Sequence, residues 1–293
     1  MEIRVLRYFL TVAREESITR AAEMLHITQP TLSRQISQLE DEVGISLFVR
    51  GSRKISLTSE GLLLKRRAEE ILQLVDTTER ELIEQEGQIE GKISIGCGET
   101  ESVKLLAALI ADFKKKYPKV VFDICTATAS DVREQMDRGL LDIGLLLEPI
   151  NVEKCEYVQL DVKENWVLLM RADSPLAEKE AITPQDMASL PLILPRRANV
   201  KNELANWFGE YYDSLNVEFT SNLSTNSAIL VDNCPAYAII IEGSLPYLDN
   251  SRLVCRRFEP PLQSTSVLAW KRGQPFSPAV TKFIQHIMLL RHD

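Results

Sequence analysis

Thr28, Gln29, Thr31, Ser33 and Arg34 crowd the leading edge of one short segment, SITRAAEMLHITQPTLSRQISQL, which runs from Ser17 to Leu39. Hydroxyl and amide side chains pair with exposed base edges, and an arginine reaches guanine with two parallel hydrogen bonds, so this set suits the major groove of DNA. No acidic residue lies between Leu25 and Leu39, and acid returns only at Glu40, Asp41 and Glu42, so the face does not repel phosphate. Pro30, with Thr19 and Arg20 from the preceding turn, completes the candidate DNA-contact set on this segment.

Two helices and a tight corner must position these side chains. After the corner at His26 and Ile27, Thr28 is predicted to cap the free amides of the second helix, and Pro30 falls in its first turn, where a missing N–H costs nothing. Leu32, Ile36, Leu39 and Val43 recur at helical spacing and form one inward stripe. Ala21, Ala22 and Leu25 give the first helix a small apolar surface on which the second can cross closely. Spacing alone also admits an ordinary helical hairpin with a polar first turn. The following FVRGSRKISLT favours the DNA reading. Gly44 stops the helix, and two extended pieces flank a Gly-Ser turn with Arg50, Arg53 and Lys54 near its tip, a basic wing suited to phosphate or the minor groove.

The stretch LRYFLTVAREESITRAAEMLHITQPTLSRQISQLEDEVGISLFVR, then ISLTSEG and a long helix, resembles the amino-terminal domain of LysR-type transcriptional regulators. The match runs without a gap from about Leu6 to Gly61, and continues beyond Gly91 in arrangement with weaker motifs. The resemblance implies an α/β multidomain protein: an N-terminal winged helix-turn-helix, a long linker helix, and a C-terminal two-lobed domain similar to type 2 periplasmic binding proteins. It implies double-stranded DNA with an interrupted palindromic operator as partner, a small-molecule effector, and a homodimer or homotetramer. RNA polymerase is a further candidate partner, and no membrane partner is expected.

Charge has to be read by region, because the chain as a whole carries −8. Residues 1–58 hold eight basic and seven acidic side chains, a net of +1 that leaves −9 for the rest. Arg34, Arg50, Arg53 and Lys54 are the basic groups that cluster, so attraction to phosphate comes from placement rather than total charge. No run approaches the roughly 18–20 apolar residues that cross a bilayer, and MEIRVLRYFL lacks a small-residue cleavage site, so cytoplasm is the expected location.

The domain boundaries read as 1–58 for the DNA-binding domain, 59–90 for a linker and dimerisation helix, and 91–293 for an effector-binding domain. From Thr58 to about Gln88 one helix is predicted, with Leu64, Ala68, Ile71, Val75, Thr78 and Leu82 in a heptad-like seam. About 28 residues extend roughly 42 Å at about 1.5 Å per residue, enough to hold two reading heads apart. Packing of that seam against its own domain is the alternative. From Gly91, strands alternate with helices, as in a parallel sheet with covered faces. The family's lobes would comprise 91–163 with 265–293, and 164–264.

The cleft between such lobes is the expected effector site, since ligands collect where strand ends meet helix amino termini. Thr100, Glu101 and Ser102 follow the first strand, Thr126 and Thr128 the second; Arg196 and Arg197 stand on a loop of the other lobe, and Thr225 and Asn226 at a helix start. A guanidinium there grips a carboxylate bidentately, which points to a small anionic metabolite. Glu99 and Glu101 sit awkwardly beside such a pocket unless turned outward, and would instead favour an amine. The chain also departs from many relatives, with Cys234, Pro235 and Ala236 where a Gly-x-Gly step is common.

Five dispersed cysteines and three histidines form no C-x-x-C, zinc or His-Glu-x-x-His pattern, and neither a Gly-x-Ser-x-Gly elbow nor a phosphate-cradling loop is present. No catalytic residues, metal or cofactor are expected, and the protein reads as a regulator rather than an enzyme. Cys97 and Cys125 end consecutive strands, so their sulfurs would approach only if those strands pair suitably; burial as small hydrophobes is the alternative.

Overall fold

In the computed structural model, which describes residues 1–50, 55–83, 89–246 and 248–291, the chain forms two units, Met1–Ile83 and Glu84–Asp293. The first unit contains α1 (Ile3–Glu15), α2 (Ile18–Met24), α3 (Gln29–Val43), the hairpin of β1 (Phe48–Arg50) and β2 (Ile55–Leu57), and α4 (Ser59–Ile83). The Ser17 hydroxyl accepts the Arg20 N–H and so caps α2. Thr28 stands at the cap position of α3, but its hydroxyl bonds the Thr31 hydroxyl at 2.8 Å instead of a backbone amide, correcting the predicted cap. Gly44, at φ 72°, ends the helix in the left-handed region.

The core of this unit joins Phe9 and Val12 of α1 to Ala21, Ala22, Leu32, Ile36 and Leu39. Val43, expected inward, is exposed, because the helix stops one residue later and the stripe runs out beyond the core. β1 and β2 pair antiparallel, and Phe48 meets Phe9 at 5.2 Å between ring centroids. Glu40 of α3 accepts the N–H groups of Leu47 (2.7 Å) and Phe48 (3.1 Å), which ties the hairpin to that helix. Gly61 lies against the Leu47 carbonyl, where an added Cβ would come within 2.1 Å, so only glycine lets α4 start so close to the hairpin.

Along α4 the expected seam turns inward. Ala68 is fully buried, and Leu64 and Ile71 pack against the same core as α1, while Arg7 of α1 bonds Asp76 at 2.8 Å. Val75 is half-buried, and the side chain of Leu82 lies outside the described residues. Among the described side chains of α4, the exposed apolar ones are Leu62, Leu63 and Leu74.

The second unit is built on a ten-stranded sheet. In chain order it contains β3 (Gly91–Cys97), α5 (Val103–Lys116), β4 (Val120–Thr126), α6 (Ala129–Asp137), β5 (Ile143–Leu147), β6 (Cys155–Arg171), β7 (Ala181–Ile182), α7 (Pro184–Met187), β8 (Leu192–Pro195), α8 (Ala198–Phe208), β9 (Val217–Ser221), α9 (Ser224–Asn233), β10 (Tyr237–Ile241), β11 (Leu253–Phe258), β12 (Gln263–Lys271) and α10 (Pro278–Met288). The order along the sheet is β4-β3-β5-β12-β6-β10-β8-β9, with β11 on β6 and β7.

The sheet is mixed, which corrects the all-parallel expectation. β3, β4 and β5 run parallel, as do β8, β9 and β10, but β6 and β12 run antiparallel to each other and to β10 and β5 respectively. The reason is β6. Its 17 residues pair first with β12 and then with β10 and β11, so one strand serves both halves of the sheet. On one half Ile93, Ile95, Leu106, Phe113 and Phe283 form a core; on the other Trp166, Leu168, Leu194, Leu204, Phe208 and Ile239 form a second.

Candidate nucleic-acid interface and effector cavity

On the first unit, Thr28, Gln29, Pro30, Thr31 and Arg34 are exposed on the opening turns of α3, and Ser33 is half-buried among them. Gln29 and Ser33, like Pro30 and Arg34, stand one turn apart on the helix. The Arg34 guanidinium has no partner among the described residues. Thr19 and Arg20 are exposed on α2, and Arg20 donates to the Glu15 carbonyl at 2.7 Å, which fixes its direction. Arg50 closes β1 opposite Ile55, whereas Arg53 and Lys54 lie outside the described residues. The hydroxyl, amide and guanidinium groups thus stand proud of a helix whose inner face is held by Leu32, Ile36 and Leu39.

On the second unit, a cavity of about 90 Å³ opens between the two halves of the sheet. Four helices begin at its wall. Thr100 precedes α5, Thr128 precedes α6, Arg197 precedes α8, and Ser224 opens α9. Leu145, Trp166, Leu194, Ile239 and Ile241 supply the apolar remainder.

Helix amino ends carry unpaired N–H groups and the positive end of the helix dipole, so each attracts a carboxylate. Two of the four already hold one from this chain, and a third is capped by a hydroxyl. Glu99 reaches α9 and accepts the N–H groups of Ser224 and Thr225 (3.1 Å) on one oxygen and the Thr225 hydroxyl on the other. Glu164, 0% exposed, accepts the N–H groups of Glu101 (2.9 Å) and Ser102 (3.0 Å) and the hydroxyls of Ser102 and Ser266. Asp131 accepts the Thr128 hydroxyl at 2.7 Å while its own N–H donates back, closing the start of α6. α8 has no side-chain cap.

Beside that uncapped end stands Arg197. Its terminal nitrogen crosses the cleft to the carbonyls of Leu147 (3.0 Å) and Pro149 (2.6 Å), and its Nε is buried with no partner. Burial pushes this guanidinium below its ordinary pKa, the direction expected for a cation short of counter-charge. The Thr100 hydroxyl is the second buried polar atom in the wall without a partner. Buried polar groups are almost always paired, so these two mark a place prepared for a hydrogen-bonding ligand.

Of the nine expected effector residues, the cavity wall takes Thr100, Thr128, Arg196 and Arg197. Arg196 is exposed at the rim. Glu101 turns to Lys104 at 2.6 Å, Ser102 to Glu164, and Thr225 to Glu99, while Thr126 and Asn226 are exposed outside the wall. Glu99, expected to sit awkwardly beside an anion, is bound by the N–H and hydroxyl donors at the start of α9. Sequence reading missed Glu164 and Trp166, which share the strand WVLLMR and its approach. A lone glutamate before an apolar strand was the available signal. The Cys234-Pro235-Ala236 step lies at the far end of α9 from the cavity.

Strands β3 and β4 do pair, but Cys97 stands opposite Thr126 and Cys125 opposite Gly96. The two sulfurs therefore point to opposite faces, Cys97 into the α5 side and Cys125 against the α6 side. All five cysteines are free, and burial raises the thiols of Cys97, Cys155 and Cys255, the last to about 11.

A helix-turn-helix head and a two-halved domain closing on a ligand-sized cavity define a ligand-responsive class of DNA-binding protein. Residues 3–62 match the family described as bacterial regulatory helix-turn-helix protein, lysR family, and residues 86–289 match the LysR substrate binding domain. The chain belongs to the LysR family of DNA-binding transcriptional regulators. The HTH-type transcriptional regulator BsdA of Bacillus subtilis (strain 168) is 33% identical over 219 residues, 74% of this chain and 74% of that protein. The Hca operon transcriptional activator HcaR of Escherichia coli (strain K12) is 28% identical over 293 residues, 97% of this chain and 96% of that one. Full-length CbnR, solved with its target DNA, shares the fold with a TM-score of 0.74 over 99% of each chain at 20% identity. Among the described residues, no helix is long and apolar enough to cross a membrane.

Proposed function

We propose that this regulator is switched by a small anionic metabolite held between the two halves of the second unit, with Arg197 and Thr100 as its polar partners. The observation that carries the reading is the pair of buried, unpartnered atoms, Arg197 Nε and Thr100 Oγ1, on two residues of one cavity wall. An anion there satisfies the cation and the hydroxyl together, a gain that water in bulk does not offer. Because a ligand shifts only an equilibrium whose states it binds unequally, occupancy alters the setting of the two halves and thereby DNA binding or promoter activation.

On the DNA side, Gln29, Thr31, Ser33 and Arg34 read base edges, while Arg50, Arg53 and Lys54 supply phosphate contacts and register. The working form is a homodimer or a pair of dimers on a two-part operator in the cytoplasm, with the 1–58, 59–90 and 91–293 division of labour. CbnR, a protein of the same fold, has been solved with its target DNA, and HcaR is named as a transcriptional activator of the Hca operon; both support DNA as the partner.

Calorimetry of the full chain against matched anionic, neutral and cationic small molecules tests the effector. Binding confined to anions, and lost in Arg197→Met, is expected. Neutral or cationic ligands bound in preference overturn the anionic assignment.

A further inference from the structure

Four helix amino ends meet at the cavity; the chain fills two of them with its own carboxylates, Glu99 and Glu164, and caps a third with the Thr128 hydroxyl. The set on α9, two N–H groups and a hydroxyl, takes both oxygens of a carboxylate, and Glu99 provides both. What the cavity leaves unpaired is one cationic donor, Arg197 Nε, beside the uncapped start of α8, and one hydroxyl, on Thr100, a residue only 8% exposed. These are the buried side-chain donors that the wall leaves open among the described residues.

We infer that Glu99 determines effector class: the cavity accepts a monocarboxylate with a compact apolar body and refuses dicarboxylates, because Glu99 occupies the second acid position. The inference rests on the reading that the cavity binds an anion. A second carboxylate would find the α9 donors taken and would face Glu99 as a like charge within a wall of Leu145, Trp166, Leu194, Ile239 and Ile241, where screening is weak. Arg196 does not compensate, because it is exposed at the rim and its charge is shared with solvent. A single carboxylate pairs with Arg197 and Thr100 and lays its hydrocarbon on that same wall.

The test uses the full chain, calorimetry and Trp166 fluorescence. Propionate, isobutyrate and benzoate are compared with malonate, succinate and phthalate, and with isobutyramide and benzamide as neutral partners. For the unaltered protein the expected preference for monoacid over matched diacid is at least about tenfold, equivalent to about 1.4 kcal/mol. In Glu99→Ser, which frees the α9 donors, that ratio should fall by at least about tenfold. Glu99→Gln keeps the shape, loses the charge and still offers an acceptor to α9, so its ratio should lie between the other two; melting curves of both variants confirm that they are folded. Monoacids bound with a preference that does not respond to residue 99 overturn this inference alone. Amides bound and acids ignored overturn the anionic reading, and this inference with it.

Discussion

Glu99 and Thr225 lie 126 residues apart in sequence and meet across the cavity, the glutamate accepting the threonine N–H at 3.1 Å and its hydroxyl through the other oxygen. One side chain from the loop after β3 thereby closes the exposed start of α9. Replacing Glu99 with alanine should cost about 1.5–3 kcal/mol, the range for hydrogen bonds to a charged group. Denaturant unfolding of the full chain measures it, and hydrogen exchange at the Ser224 and Thr225 amides should quicken. Unchanged exchange at those amides would show that the clasp does not persist in solution.

Arg34→Ala should lose about 1–3 kcal/mol on the cognate operator and relax one base position, as expected for a bidentate guanine contact. Arg53→Ala should weaken all sequences alike and lower the salt slope by about one unit. Equal losses on cognate and random DNA for both variants would contradict the division between reading and positioning.

The two faces of α4 predict different failures. Ala68→Glu places a charge in the core around Phe9 and should unfold the first unit. Leu63→Glu with Leu74→Glu alters only exposed positions, so the protein should stay folded and become monomeric by light scattering if α4 forms the dimer contact. A dimer that survives the double substitution places the contact elsewhere.

Acid stability depends partly on Asp186. Burial opposes its ionisation, but Lys179 at 2.5 Å and the N–H and hydroxyl of Thr183 outweigh that and hold its carboxyl below the ordinary value. A carboxyl depressed in the folded state stabilises above its unfolded pKa, near 3.9, and the contribution disappears as pH falls through the lower folded value. Asp186→Asn should therefore be less stable at neutral pH and show a shallower decline below about pH 4. Parallel pH profiles for the two proteins would rule this out.

Peroxide should leave all five thiols countable and DNA affinity unchanged, because register separates Cys97 from Cys125 and burial disfavours the Cys97, Cys155 and Cys255 thiolates. Loss of two thiols together with altered operator binding would revive a redox role.

The reading helix was legible because its signals are local: Pro30 in the first turn, Gly44 at the end, and an apolar stripe between them. Val43 and the Thr28 cap went astray because a helix end is decided by where the core stops and by which hydroxyl lies nearer. The seam of α4 is ambiguous in sequence for another reason. A four-three repeat fits a groove in its own domain as well as one in a partner, and only the burial of Ala68 distinguishes them. β11 has little local signal, because LVCRRF has two arginines and acquires its pairing from β6, far away in sequence. The loops carrying Thr100, Thr128 and Arg197 were found through strand-end logic, but the partners that commit Ser102 and Thr225 are tertiary and leave no local trace.

Cys155–Arg171 hydrogen-bonds into both halves of the second unit as a single unbroken strand, with Glu164 buried near the crossing. A ladder of that kind resists sliding and yields to torsion, most easily where its register with β12 slips between Ser264 and Ser266. Any turning of one half against the other would therefore have to pass through the backbone of this strand.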